Sequence, residues 1–178
     1  FFKYKWICAR IRYKIMSLFL LDSNIFIEAK NRYYSFDFCP AFWDFLDKEI
    51  DKNTILTIKE VYNELSNGDD NLADWIKERK DSSFFIPFDD EETQKEFAKI
   101  AQYIVNNFSQ EEATKFLSVA DPWLIAKAKV LEATIVTHEV LAPPNTKKVK
   151  IPNICVHFGV NYANPFNMLR NLGAKFII

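Results

Sequence analysis

The chain has 178 residues, 49% of them hydrophobic and only three of them Gly, with 17 Phe and a formal net charge of -1. This length suits one well-packed domain better than two, and the composition excludes a disordered or fibrous chain. A global basic field is absent, so any grip on nucleic acid has to come from local patches or from metal ions.

Residues 1–15 carry Lys3, Lys5, Arg10, Arg12 and Lys14 among aromatics and precede Met16. They read as an extension ahead of a natural start at Met16; the alternative is a basic arm for nucleic acid or a membrane surface. A signal peptide does not fit, because Asp22 and a core-like strand follow at once. Residues 16–178 are expected to form a single domain.

Leu18–Leu21 reads as the first strand, an apolar run that ends in Asp22, Ser23 and Asn24 before Ile25-Phe-Ile27 continues into a helix. Residues 40–50 carry Phe42, Phe45, Leu46 and Ile50 at helical spacing. Ile55–Ile58 is a second strand, followed by a helix over 59–65 with Gly68 as its stop. Residues 72–80 form a further helix and 84–86 a third strand before Pro87. The clearest helix runs over 91–108, with Phe97, Ile100, Ala101, Ile104 and Phe108 on one face and acids in its first turn. Another is expected over 121–133, with Pro122 in its first turn and Asp121 placed to cap it.

A fourth strand covers 134–137, and 141–150 is a Pro- and Lys-containing loop. Short helices over 154–158 and 166–172 and a last strand over 175–178 complete the chain. The alternation of strands and helices predicts an α/β fold, three layers α/β/α with a central parallel sheet. Trp43 and Trp123 fall within apolar helical patterns and are expected in the core.

The three cysteines, Cys8, Cys39 and Cys155, are widely spaced, and His138 and His157 complete no zinc pattern with them. Reduced structural thiols in a cytoplasmic protein are the expectation. No apolar run reaches bilayer length, so no membrane partner is expected.

Four acids stand at strand ends or helix starts: Asp22, Glu64, Asp121 and Glu139. If the first and fourth strands are neighbours, all four can face one crevice, and hard oxygen donors clustered there suit Mg²⁺ or Mn²⁺. Such an ion orients a phosphodiester and stabilises its leaving oxygen. Each acid also has an ordinary reading. Asp22 can cap a turn with Ser23 and Asn24, Asp121 can be only a helix cap, Glu139 a loop acid, and Glu60 with Glu64 a solvated helix face. Lys147, Lys148 and Lys150 form a basic stretch, a solvated loop or a grip on an RNA backbone. Tyr33-Tyr34 suits base stacking, core or partner contact equally. His138 is a phosphate contact or, more ordinarily, a turn residue.

The four segments Asp22-Ser-Asn-Ile-Phe-Ile, Val61-Tyr-Asn-Glu64-Leu, Ala120-Asp121-Pro-Trp-Leu-Ile-Ala-Lys-Ala128 and Ile135-Val-Thr137-His-Glu139 together resemble the PIN-domain nucleases, a group that includes the VapC-type toxins. The tail from Lys150-Ile-Pro-Asn-Ile-Cys to Met168-Leu-Arg is similar to a poorly characterised PIN-like branch, and the resemblance spans about residues 16–178. It implies that Asp22, Glu64, Asp121 and Glu139 are catalytic, metal-binding acids, supported by Ser23, Asn24, Thr137 and Glu60. Glu139 departs from the pattern, which usually has Asp there, and its longer arm puts four-acid catalysis in question.

The implied activity is Mg²⁺- or Mn²⁺-dependent endoribonuclease cleavage of single-stranded RNA by the toxin of a toxin–antitoxin pair. An antitoxin protein is the implied partner, and a homodimer is in keeping with such toxins. Two alternatives stay open: a catalytically weak PIN-like module that binds RNA or protein, and a DNA-directed nuclease on the same acids. Asp22-Ser-Asn24 is also similar to the Asp-x-Asp of haloacid-dehalogenase phosphatases, but it lacks the second acid that a phosphoaspartate mechanism needs.

Overall fold

Five strands, β1 (Phe19–Leu21), β2 (Ile55–Ile58), β3 (Phe85–Ile86), β4 (Thr134–Val136) and β5 (Asn161–Ala163), form one sheet in the order β3-β2-β1-β4-β5. Every adjacent pair is parallel. The structure is a computed structural model, and it describes residues 18–176. The central strands are buried along their whole length: Phe19, Leu20 and Leu21 in β1, and Ile55 to Ile58 in β2. An uninterrupted apolar run is what a strand covered by helices on both faces requires, and the expected three-layer α/β/α architecture is the one observed.

The strand order decides where chemistry can sit. From β1 the chain steps outward through β2 to β3, then returns across the sheet to β4 and steps outward again to β5. Parallel crossovers share one hand, so the two halves lay their helices on opposite faces. The crevice opens between β1 and β4, at their carboxyl ends. There the register pairs Leu21 with Val136, and the Asp22 N–H donates to the Val136 carbonyl at 3.0 Å. The side chains just past both strand ends are therefore neighbours.

The helices follow local signals. The helix α1 (Ser23–Glu28) is capped by Asp22 and runs into a π-helical turn at Ala29–Tyr33. α2 (Pro40–Asp51) and α3 (Lys59–Ser66) flank β2, and α4 (Asn71–Glu78) is capped by Asp70. α5 (Glu91–Asn107) starts at its cap Asp90 and packs on α7 (Asp121–Leu131). α7 buries Leu124, Ile125, Ala126 and Ala128 on successive faces, as a helix sandwiched between α5 and the sheet must. Its Lys127 is almost buried as well and donates to Asp90 at 2.5 Å.

Between α5 and α7 lies α6 (Gln110–Leu117), and the C-terminal part holds α8 (Ile151–Phe158) and α9 (Pro165–Asn171). Trp43 is buried, and Trp123 stacks on Phe97 at 3.7 Å between ring centroids.

The C-terminal segment differs from expectation. The fifth strand is Asn161–Ala163, while Lys175 and Phe176 are not in a strand and residues 177–178 lie outside the described residues. β5 is a short, largely exposed edge strand with no apolar run to announce it. Phe176 instead packs edge-on against Phe42 and Phe45 of α2. Its apolar character reflects this aromatic contact, made with the ring still about a third exposed, rather than strand pairing. The basic stretch 1–15 and Cys8 also lie outside the described residues.

Candidate active site

Asp22 is almost completely buried at the end of β1. One carboxylate oxygen accepts from the Asn24 N–H and the Ser23 hydroxyl, both at 3.4 Å. The other accepts from the Thr137 hydroxyl at 2.9 Å. The same side chain thus caps α1 and reaches across to Thr137 just past the end of β4. Thr137 gives its single proton to Asp22 and uses a lone pair to accept the Glu139 N–H at 3.1 Å. It therefore ties the ends of β1 and β4 together.

Asp121 is the first residue of α7, behind Ala120, so it does not serve as the expected cap. Pro122, next in line, suits a first turn whose N–H groups need no helical partner. Burial pushes the Asp121 carboxyl well above the usual carboxylate range. The negative charges of Asp22, Glu139 and Glu64 push it further, and Lys150 alone opposes them. Burial also raises the Asp22 carboxyl, but the Thr137 and Asn24 donors hold it back. Hence Asp22 is more deeply buried, yet Asp121 is further displaced. These two acids form a charge pair short of counter-charge.

Asp121 opens toward a cavity of about 550 Å³ whose lining also includes Ser23, Asn24, Glu64, Glu139 and Lys150, while Asp22 is buried next to Ser23 and Asn24 of that lining. Glu64 faces it from α3 with one oxygen accepting the Ala120 N–H at 2.8 Å, which ties α3 to the start of α7. Glu139 accepts from the Lys150 ammonium at 2.6 Å and from the Ile151 N–H at 2.7 Å, so both of its oxygens are engaged. Glu60 bonds the Asn63 amide at 3.0 Å and does not line the cavity. Of the expected residues, the fold therefore gathers Asp22, Ser23, Asn24, Glu64, Asp121, Thr137 and Glu139 and leaves Glu60 apart.

A family model described as a domain of unknown function, DUF4411, matches residues 19–176. The chain belongs to that family. No curated protein matches it. Among solved structures, a chain of VapBC2 from Rickettsia felis, crystallised bound to a DNA fragment from its promoter, aligns with a TM-score of 0.52 at 15% identity, over 83% of this chain and 98% of that one. A chain of FitAcB from Neisseria gonorrhoeae aligns with a TM-score of 0.48 at 19% identity, over 84% of this chain and 99% of that one. The first likeness establishes that this DUF4411 chain has a VapC-like PIN fold.

The donor set can be tested against a divalent ion. Among the described residues, no three His, Cys, Asp or Glu side chains stand together as a finished metal site. Glu64 and Glu139 are turned onto protein donors, and Asp22 accepts from Ser23, Asn24 and Thr137, which leaves Asp121, beside the Asp22 charge, without such a bond among the described residues. Two adjacent, under-compensated carboxylates still fit Mg²⁺, which commonly takes one or two carboxylates and keeps several waters. When bound, such an ion supplies Lewis acidity and offsets phosphate charge. The chain's own part is to hold the paired acids rigidly through Thr137 and the start of α1, and to present Lys150 beside them.

The sequence reading missed α6, which contributes Glu112, Lys115 and Phe116 to the cavity lining. Its signal was present: Ser109 followed three residues later by Glu112 has the capping-box spacing, and the Ser109 hydroxyl accepts the Glu112 N–H at 3.3 Å. Lys148 and Lys150 of the basic stretch also line the cavity. His138 stacks on Tyr33 at 5.5 Å between centroids, and Tyr33 in turn meets the edge of Phe166. Cys155 is buried, and burial pushes its thiol up to about 12, which leaves it unreactive.

Proposed function

We propose that this chain is a Mg²⁺- or Mn²⁺-dependent nuclease that hydrolyses RNA phosphodiester bonds as the toxin of a toxin–antitoxin pair. The observation that carries the reading is the Asp22–Asp121 pair at the switch point of a parallel sheet, two carboxyls raised by burial, with the Asp22 charge raising Asp121 further and the Glu139 charge acting on both. Such a pair gains most from a cation, and its Asp121 faces an open cavity whose lining includes Lys115, Lys148 and Lys150. Asp22 and Asp121 are the principal ligands in this reading, and Glu64 joins them after giving up its bond to the Ala120 N–H. Ser23, Asn24 and Thr137 support them.

The choice of RNA and of an antitoxin partner rests on the PIN resemblance of the four acid-bearing segments. Among the described residues no helix is long and apolar enough to cross a membrane.

The test is cleavage of single-stranded RNA and of DNA by the purified chain with Mg²⁺, with Mn²⁺ and with chelator, beside Asp121→Asn. Metal-dependent RNA cleavage that the variant lacks supports the reading; cleavage of DNA alone redirects it to a DNA nuclease. A parent inactive on every nucleic acid favours a binding module instead. One observation speaks for that second reading: Glu64 and Glu139 are already bonded to protein donors.

A further inference from the structure

Glu139 occupies the place where the PIN pattern puts a ligand, yet its surroundings are those of an anchor. One oxygen takes the Lys150 ammonium at 2.6 Å and the other takes the Ile151 N–H at 2.7 Å, at the first turn of α8. Its own N–H is held by the Thr137 hydroxyl, which also bonds Asp22. To bind an ion directly, Glu139 would have to give up two charge-assisted hydrogen bonds. Those same bonds have a different consequence. Lysine is a compact charge on a flexible four-carbon stem, and here the stem starts in the loop before α8 and its tip is pinned inside the lining of the carboxylate cavity. Only one of its three N–H donors is needed by Glu139.

We propose that Glu139 is a positioning residue rather than a metal ligand, and that it holds the Lys150 ammonium where it takes a non-bridging phosphate oxygen of the bound RNA. The proposal rests on the nuclease reading above. The longer arm of Glu139 now has a purpose. It reaches the Lys150 ammonium and the Ile151 N–H at the start of α8. The ammonium then partly offsets the repulsion between a phosphate and the acid cluster, without a second metal ion.

The test uses the full chain and three measurements. Mn²⁺ binding to substrate-free protein by calorimetry is expected to stay within about twofold in Glu139→Gln and to be lost in Asp121→Asn. Binding of a single-stranded RNA oligonucleotide on the Asp121→Asn background is expected to show a salt slope smaller by about 0.7 when Lys150→Ala is added, the share of one phosphate contact. In cleavage, Glu139→Gln and Lys150→Ala are each expected to lower kcat/KM about tenfold, the double variant no more than Lys150→Ala alone, and Lys150→Arg to restore most of the loss. The Gln variant keeps an acceptor for the Ile151 N–H, so α8 keeps its start.

Loss of Mn²⁺ affinity in Glu139→Gln, multiplicative effects in the double variant, or a rise in activity on neutralising Glu139 each overturns the proposal. A parent that cleaves no nucleic acid overturns the nuclease reading itself, and the two failures are thereby distinct.

Discussion

Asp121→Asn should stabilise the metal-free protein while destroying its activity, and the gain should depend on pH with a definite sign. Asp121 is displaced from 3.8 up to about 8 in the fold, first by burial and then by Asp22, Glu139 and Glu64. The folded protein therefore holds a proton over a range where the unfolded chain has lost it. In that window the native state binds more protons than the unfolded state, so stability falls as pH rises from about 4 to about 8. Each unit of displacement costs about 1.4 kcal/mol once the group is forced to ionise.

Asp121 is only partly buried, and its repulsion is shared with Asp22, so the recoverable part is about 1–3 kcal/mol at pH 8. For a domain of this size that is about 3–9 °C in Tm. Asn has nearly the same shape and no charge. The two proteins should melt together near pH 4 and diverge steadily toward pH 8, the variant being higher. Burial lowers the His138 pKa, which slopes stability the opposite way, but that contribution is common to both proteins and cancels in the difference. Added Mg²⁺ should raise the parent's Tm and leave the variant's unchanged. Thermal melts at pH 4, 6 and 8 with chelator and with Mg²⁺ decide the matter. A variant that melts below the parent at pH 8 without metal, or a difference that does not change with pH, refutes the reasoning.

Thr137→Val should cost about 2–3 kcal/mol, because it strips Asp22 of a donor and leaves the Glu139 N–H without its acceptor. Thr137→Ser should restore most of this in a denaturant titration. Glu64→Gln keeps an oxygen for the Ala120 N–H and should melt within about 0.5 kcal/mol of the parent, whereas Glu64→Ala should cost about 1 kcal/mol; both should lower Mg²⁺-dependent cleavage if Glu64 is a ligand. Lys127→Met removes the ion pair that holds the Asp90 carboxyl far below the usual range. Because a depressed carboxyl stabilises the fold above its unfolded pKa and loses that contribution as pH falls, the variant should be about 1 kcal/mol less stable at pH 7 and less sensitive to acid than the parent.

Asp22 and Asp121 were legible because their signals are local: an apolar strand that ends in Asp, and an Asp-Pro that opens a helix. Both then lie where parallel strands and their helices put them. The bonding of Glu139 was not legible. Its partners, Lys150 and the Ile151 N–H, arrive only when the loop over 141–150 folds back across the strand end. β5 is not legible because an exposed Asn-Tyr-Ala edge carries no apolar run, and the apolar tail at 175–178 reads as a strand although Phe176, still partly exposed, packs its ring on α2, because an apolar run does not say which element it meets.

By itself, then, the sequence determined the type of nearly every element, through apolar period, caps and breakers that act within a few residues. It also determined which acids end those elements. The tertiary structure alone decided that β1 and β4 are neighbours, and with that the pairing of Asp22 with Asp121, the bridging by Thr137 and the diversion of Glu139 to Lys150. Those contacts join positions up to 115 residues apart in the case of Asp22 and Thr137. No local pattern encodes them, because they depend on the strand order in which the crossovers close.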